Sequence, residues 1–266
     1  MPAPGGGARG RRWSAPLPPV LLAVVAAAWV IAIAAELTGR AQWVHHHELL
    51  AGGWPVWWSV GVFLVAWQIH VAAMMLPSTL PLVALFRRAS ARQDHPRAAR
   101  AAFLGAYLAV WTVFGFAALG GDAVLHAAAH RYPALDQPQL IGAGVLLLAG
   151  LFQFSALKDR CLQQCRHPAV FLTAHYRRGV GAAWRLGLRH GLFCLGCCWA
   201  LMLVMFAVGI ANLAWMAPFA LLMIWEKTGP GGDRGAVPIG IALIGLGALV
   251  MLDPAWMPDL IGGHAH

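Results

Sequence analysis

The sequence predicts an all-α membrane protein, a polytopic bundle of about seven transmembrane helices. Of its 266 residues, 60% are hydrophobic and 11% are charged, whereas about 25% of the residues in a soluble domain are charged. Apolar runs of spanning length recur along the chain, and they lack the alternation that a membrane β-barrel requires. Seventeen of the nineteen Lys and Arg residues fall in four alternate segments between these runs, which is typical of cytoplasmic loops.

The N-terminal part of the chain combines a polar segment with a first apolar run. Residues 1–15 are rich in Gly, Pro and Arg, and we expect a disordered basic N-terminus. Residues 17–37 form the first predicted span. The alternative is a signal peptide cleaved after Ala32-Ile33-Ala34, which would leave six spans. The apolar run is longer than the about 7 to 15 residues of a signal peptide, and this favours a retained helix.

The remaining spans complete a single predicted transmembrane domain over residues 16–253. They are residues 55–85, 101–119, 140–157, two short helices within 191–225, and 239–252. The run 191–225 is long enough for two spans of about 17 residues or for one tilted helix. The polar break at Asn212 favours two spans. The basic stretch 176–189 before this run resembles an amphipathic helix at the membrane surface.

The charge distribution also predicts orientation and excludes some functions. It places the protein in an inner (cytoplasmic) membrane, with a cytoplasmic N-terminus and with residues 254–266 as a short outer tail. The net charge of +9 is explained by these loops, so it does not indicate a nucleic-acid partner. The sequence contains no phosphate-cradling loop, nucleophile elbow or dinucleotide fingerprint. We therefore expect no nucleotide, and a binding or transport role rather than an enzyme.

Sulfur ligands are concentrated between Cys194 and Met205, where three thiols and two thioethers lie within twelve residues. On a helix Cys194, Cys198, Met202 and Met205 share one face, with Cys197 one turn from Cys194. Thiolate and thioether ligands prefer soft metals, above all Cu(I). The alternative interpretation is that small Cys and pliable Met side chains fill a helix-packing seam.

Further candidate ligands lie outside this stretch. His70 and Met74 are i, i+4 neighbours in the second predicted span, where an ionisable side chain usually faces the bundle interior. Cys161 and Cys165 have the same spacing in the longest connection. On a helix they share one face, and we interpret them as a pair that receives the metal.

Histidine is distributed differently from cysteine. Seven of the twelve His residues fall on the predicted outer side. Among them, His126 and His130 follow Asp122 at i, i+4, i+8 spacing, which predicts a secondary outer site for a borderline metal. Imidazole outside and sulfur inside would suit copper that enters at an oxidising face and is held as Cu(I).

Four polar residues near the sulfur-rich spans have expected supporting roles. Ser78 and Asn212 are candidates for hydrogen bonds that orient the metal ligands. Glu226 and Lys227 follow the sixth predicted span, and we expect them to form a local pair at the membrane interface.

Three motifs carry a resemblance to a known family. They are Ala73-Met74-Met75-Leu76-Pro77-Ser78, Cys161-Leu162-x-x-Cys165-Arg166, and Cys194-x-Gly196-Cys197-Cys198-Trp199-x-Leu201-Met202. With these motifs the sequence resembles a family of uncharacterised bacterial integral membrane proteins that are predicted to bind metal. His70 stands where the family pattern has Met. Both side chains can bind a soft metal, so the exchange keeps a possible ligand at this position. The resemblance implies a metal-binding protein of the bacterial inner membrane.

These observations predict a protein that binds copper, or another soft or borderline metal. It would act in metal transport or in delivery to a copper enzyme. The expected partners are the lipid bilayer and a metallochaperone or copper enzyme. Two alternatives belong to other classes: a membrane thiol oxidoreductase that uses Cys161/Cys165 and Cys197/Cys198, and a structural or assembly subunit in which the sulfur atoms only pack.

Overall fold

The computed structural model describes residues 17–39, 55–132, 137–208 and 212–253. Over these ranges the chain forms ten α-helices and one short 3₁₀ helix, Gly232–Gly235, and contains no strand. The α-helices are α1 (Pro19–Leu37), α2 (Val56–Met74), α3 (Leu76–Ala89), α4 (Pro96–Arg131), α5 (Pro138–Phe152), α6 (Ala156–Arg166), α7 (Pro168–His175), α8 (Val180–Val208), α9 (Leu213–Thr228) and α10 (Ala236–Leu252). The all-α fold class is confirmed. The predicted disordered N-terminus and outer tail lie outside the described residues.

Five helices of the described part are long and apolar enough to cross a membrane. They are α1, α2, α4, α8 and α10 with the 3₁₀ turn before it. The pair α5 and α6 makes a sixth if its 66° bend lies within one span. At 16 residues, α9 is shorter than the about 20 residues that a straight span requires. A multi-pass helical bundle is therefore supported, whereas the number of seven spans is not confirmed.

The second predicted span is broken at Met75, which lies between α2 and α3. Pro77 has no N–H, so it cannot donate to the carbonyl of Ala73 four residues earlier. The indole Nε1 of Trp29 on α1 donates to that carbonyl oxygen instead, at 3.2 Å. The break is thus stabilised by a neighbouring helix, as a membrane interior requires.

The long basic connection predicted between the fourth and fifth spans is helical. It consists of α6, α7 and the first turns of α8. The prediction of a separate surface helix over 176–189 is wrong, because α8 continues without interruption from Val180 into the sulfur-rich segment. Arg185 and Arg189 therefore lie on the same helix as the sulfur-rich segment, whereas Arg177 and Arg178 precede it.

Glycine allows α4 and α8 to pack closely. A Cβ atom at Gly187 would overlap the carbonyl oxygen of Phe103. One turn later, a Cβ atom at Gly191 would lie 3.0 Å from Cγ2 of Val110. Small residues four apart commonly let membrane helices approach in this way. The Gly187-x3-Gly191 pair therefore sets the position of α8 and of the thiols that it carries.

We expect Gly187→Ala to destabilise the protein by about 1–3 kcal/mol, because the added methyl group overlaps the α4 backbone. The matched control is Gly181→Ala on the same helix, where a Cβ atom meets nothing within 4 Å. Because Ala favours a helix over Gly by up to about 1 kcal/mol, the control should be neutral or stabilising. Thermal unfolding of the purified protein in detergent tests this. Equal stability of the two variants would contradict the close approach of α4 and α8.

The core is organised around α8, which packs against α4, α5, α6 and α9. Its thiols lie in one cluster of buried side chains with large aromatic residues from α2 and α4, among them Trp67, Tyr107 and Trp111. The short helix α6 bends back from α5 and packs against α8. The sulfur-rich segment is therefore enclosed by protein on several sides.

Candidate metal site

The α8 helix places three thiols at the centre of the bundle. Cys194, Cys197 and Cys198 are each 1% exposed. The Sγ atoms of Cys197 and Cys198 donate to the carbonyl oxygen of Cys194, at 3.1 and 2.8 Å. Such bonds to the preceding turn are common for small polar side chains within helices. They hold both thiols close to the helix and beside the Cys194 side chain.

The break between α2 and α3 presents a thioether to these thiols. Cys198 Sγ lies 3.6 Å from Met75 Sδ. The Met75 carbonyl accepts hydrogen bonds from Ser78 Oγ at 2.9 Å and from Thr79 Oγ1 at 3.1 Å. These two bonds stabilise the backbone at the break, so that Met75 is fixed against α8.

A buried ammonium group lies among the same atoms. Lys227, near the end of α9, is 2% exposed. Its Nζ lies 3.2 Å from Cys194 Sγ and 3.7 Å from Cys198 Sγ. It is 3.8 Å from Met75 Sδ and 3.4 Å from Ser78 Oγ. Two thiols, one thioether and one hydroxyl therefore surround a single cationic group.

The phenol of Tyr107 on α4 closes another side of the site. Its hydroxyl oxygen lies 3.3 Å from Cys194 Sγ, and either atom can be the donor. Thr79 Oγ1 lies 3.2 Å from the same phenol oxygen, within hydrogen-bonding distance. Because Tyr107 is fully buried, it links Cys194 to α3 without bringing in water.

The α6 helix contributes the two remaining cysteines. The Cys165 thiol interacts with the thiols of Cys194 and Cys197. Cys161 Sγ packs on α8 at Gly196, where a Cβ atom would lie 2.6 Å from the sulfur. All five cysteines are buried and not in disulfides. The absence of a side chain at Gly196 thus allows α6 and α8 to approach at the thiols.

A buried ion pair attaches α6 to α9. Lys158 Nζ lies 2.9 Å from Glu226 Oε2, and both side chains are at most 2% exposed. Arg166 donates through Nη1 to the Glu226 carbonyl, and through Nη2 to the Gly229 carbonyl at 3.1 Å. The prediction that Glu226 and Lys227 form a local interfacial pair is wrong. Glu226 pairs with α6, whereas Lys227 reaches the thiols.

The sulfur cluster is not a closed metal site as it stands. Within the described ranges, no three His, Cys, Asp or Glu side chains are arranged to hold a metal ion. Cys194, Cys198 and Met75 already converge on the position of Lys227 Nζ.

A family model described as PpoB2, copper chaperone, matches residues 64–250. This chain belongs to the PpoB2 copper chaperone family. The match includes all five cysteines, Met75 and Lys227. Searches of the curated proteins and of the solved structures found no match. The family assignment supports a copper-related function and, by its description, agrees with the soft donor atoms of the cluster.

In this PpoB2-family protein the predicted sulfur ligands on α6 and α8 lie together. Cys194, Cys197, Cys198 and Cys165 form one buried group, and Cys161 packs beside it. Met202 is buried on α8, one turn after Cys198. These positions leave the predicted roles as metal ligands open to experiment.

The predicted contribution of the second span differs by one residue. Met74 is buried at the last position of α2, but Met75 makes the contact with Cys198. His70 is buried on α2, and its ring stacks on Trp67 with centroids 5.6 Å apart. Met75 makes the contact with Cys198 because the helix is interrupted immediately after Met74, and the roles of Met74 and His70 as ligands stay predictions.

The secondary outer site is described only in part. Asp122, His126 and His130 lie on the continuous helix α4, but the side chains of the two histidines lie outside the described part. Of the two predicted supporting residues, Ser78 lies at the sulfur cluster. Asn212 Oδ1 instead accepts from the Ala214 N–H at 3.1 Å and caps α9, at the opposite end of that helix from Lys227.

Several residues at the site were missed by sequence reasoning, among them Met75, Lys227, His190 and Tyr107. Pro77 predicts a helix break nearby, and this was an indication that Met75 could differ in position from Met74. Lys227 was signalled by its position at the end of an apolar run next to an acid. His190 lies one turn before Cys194, its ring stacks on Tyr107 at 5.7 Å, and its ring nitrogens have no hydrogen-bond partner in the described part of the chain. Its i, i+4 spacing from Cys194 was a usable signal.

Proposed function

We propose that this protein binds Cu(I) at the buried sulfur cluster and delivers it to a copper enzyme during assembly of that enzyme. One observation carries the proposal. Two thiols of α8, Cys194 and Cys198, and the thioether of Met75 at the α2–α3 break converge on one buried point. Membership of the PpoB2 copper chaperone family also supports the proposal.

The donor set suits Cu(I) better than the harder divalent ions. Thiolate and thioether sulfur select soft metals, whereas Mg²⁺, Ca²⁺ and Mn²⁺ prefer carboxylate and carbonyl oxygen. The Tyr107 hydroxyl, 3.3 Å from Cys194 Sγ, can donate to that sulfur and so supply an outer partner that orients a metal ligand. Burial of the cluster keeps water and oxidants away from the bound ion, which stabilises the reduced state.

The remaining sulfur atoms provide a route for the ion. In this proposal Cu(I) is held by Cys194, Cys198 and Met75, with Cys197 and Met202 as further ligands on α8. Cys165 interacts with the α8 thiols and, with Cys161, forms the pair on α6 that receives the ion. Met74 and His70 are additional donors on α2. Transfer by exchange of one sulfur ligand at a time avoids release of a free ion.

The proposed site is near the cytoplasmic side of a bacterial inner membrane. Support comes from the distribution of Lys and Arg, which favours a cytoplasmic location for the segments around α6, α7 and the start of α8. The partners would be the lipid bilayer, a metallochaperone that supplies copper, and the copper enzyme that accepts it. Transport across the membrane is the alternative use of the same site.

Copper analysis combined with thiol counting tests the proposal. The detergent-purified protein is loaded with Cu(I) under reducing conditions, passed through a desalting column with a weak chelator, and analysed for copper. We expect about one tightly held ion per chain, because one soft donor cluster is present. If no copper remains after desalting and the number of free thiols falls on addition of an oxidant, the result would contradict the proposal and favour a thiol oxidoreductase. If the protein neither binds copper nor undergoes thiol oxidation, the result would favour a structural subunit.

A further inference from the structure

The most unusual feature of the sulfur cluster is the cation at its centre. Lys227 is a fully enclosed side chain whose ammonium group has four potential acceptors within 3.8 Å. Three of these acceptors are sulfur atoms, which are weak partners for an ammonium group. A buried charge with only weak acceptors is costly, so its retention calls for a functional explanation.

Lys227 Nζ occupies the space in which the sulfur atoms converge. Cys194 Sγ, Cys198 Sγ and Met75 Sδ lie 3.2, 3.7 and 3.8 Å from it. A metal ion bonded to these atoms would lie closer to them, at roughly the 2.3 Å of a metal–thiolate bond. The ammonium group and the ion therefore cannot occupy the cluster together, because two positive charges in a buried site repel each other strongly.

We propose that Lys227 is an internal counter-cation that fills the sulfur cluster when no metal is present, leaves it when Cu(I) binds, and returns to promote release of the ion. The inference rests on the proposed function and deepens it. Exchange of the ammonium group for Cu(I) replaces one positive charge by another. Because Cys198 donates its thiol proton to the Cys194 carbonyl in the empty state, Cu(I) binding to the Cys198 thiolate also releases that proton to solvent.

A neighbouring acceptor provides a destination for the displaced ammonium group. Glu226 precedes Lys227 on α9, and its Oε2 is bound to Lys158. Its other oxygen, Oε1, is buried and has no hydrogen-bond partner among the described residues. Movement of the flexible Lys227 side chain toward Glu226 would satisfy this oxygen.

The inference gives the site a way to release a tightly held ion. When Cu(I) leaves a pair of buried thiolates, two uncompensated negative charges remain, and this state is unfavourable. Returning Lys227 compensates one of those two charges at once, and a proton that returns to Cys198 compensates the other. A neutral residue at position 227 removes this compensation and should slow the departure of the ion.

Release kinetics test the inference. The full-length protein and Lys227→Leu are loaded with Cu(I) in detergent, a chromogenic Cu(I) chelator is added in excess, and the rate of complex formation is followed. We expect Lys227→Leu to release copper at least about tenfold more slowly, equivalent to about 1.4 kcal/mol. Leucine is chosen over methionine because a new thioether would itself bind copper. Arg185→Leu, which removes an exposed positive charge from α8, is the matched control and should release at the wild-type rate.

The outcomes separate the two proposals. Copper bound per chain in the wild type reports on the proposed function, and the ratio of release rates reports on Lys227. Equal release rates for wild type and Lys227→Leu, at equal copper content, would overturn the role of Lys227 and leave the copper site intact. If Lys227→Leu does not fold, Lys227→Gln and Lys227→Arg replace it. Slower release from the neutral Gln variant than from the charged Arg variant supports the inference, and equal rates overturn it.

Discussion

We expect Cys194→Ser combined with Cys198→Ser to reduce bound copper from about one ion per chain to less than about a tenth of that value. Serine is close to cysteine in shape, but its oxygen is a hard ligand with little affinity for Cu(I). The two thiols are buried at 1% exposure and supply two of the three sulfur atoms around the proposed ion position. Copper analysis after desalting against a weak chelator measures the effect.

Methionine substitutions provide a control matched in chemistry and burial. Met75→Leu removes the third sulfur atom, and we expect the Kd for Cu(I) to rise about tenfold or more, which corresponds to about 1.4 kcal/mol. Met216→Leu makes the same change at another buried methionine, 1% exposed, in the first turn of α9. Its Kd should equal that of the wild type. Equal affinities for the two variants would exclude Met75 as a ligand.

The second large effect is expected at the ion pair between α6 and α9. Glu226→Gln leaves the Lys158 ammonium group buried without its 2.9 Å carboxylate partner. Removal of one partner of a buried pair costs about 3–5 kcal/mol. We therefore expect Glu226→Gln to lower the free energy of unfolding by that amount. Unfolding of the purified protein with denaturant in detergent, followed by circular dichroism, measures it.

The exposed ion pair near the same helices is the matched control. Arg166 Nη2 lies 3.4 Å from Asp233 Oδ1, and Asp233 is 43% exposed. Asp233→Asn should cost less than about 1 kcal/mol, because an exposed pair contributes little. Lys158→Met combined with Glu226→Gln should be less destabilised than Glu226→Gln alone. If Glu226→Gln were no more destabilising than Asp233→Asn, the buried pair would not hold α6 against α9.

The fold class followed from the sequence because membrane helices require long apolar runs. Interruptions of those runs were harder to predict. The break at Met75 depends on Pro77, but it is stable because Trp29 on a distant helix satisfies the freed Ala73 carbonyl. Likewise, the 66° bend between α5 and α6 places charged residues of α6 against the bundle. Both features arise from contacts between helices that are far apart in sequence.

The candidate site was predictable where its residues lie on one helix. The i, i+4 spacing of Cys194 and Cys198 identified the thiol-rich face of α8 without any tertiary information. Spacing along one helix could not predict which residues of other helices contact that face. A single residue separates Met74 from Met75, and only the position of the helix break decides which thioether reaches Cys198. Lys227 resembled an interfacial lysine because its local sequence contains no sign of the distant thiols.

X-ray absorption at the copper K-edge of the Cu(I)-loaded protein tests the sulfur site most directly. Convergence of Cys194, Cys198 and Met75 predicts a first coordination shell dominated by sulfur, at distances near the about 2.3 Å typical of metal–thiolate bonds. The sulfur contribution should decrease in Met75→Leu and remain unchanged in Met216→Leu. A first shell of nitrogen or oxygen atoms without sulfur, in protein that retains copper, would contradict the proposed site.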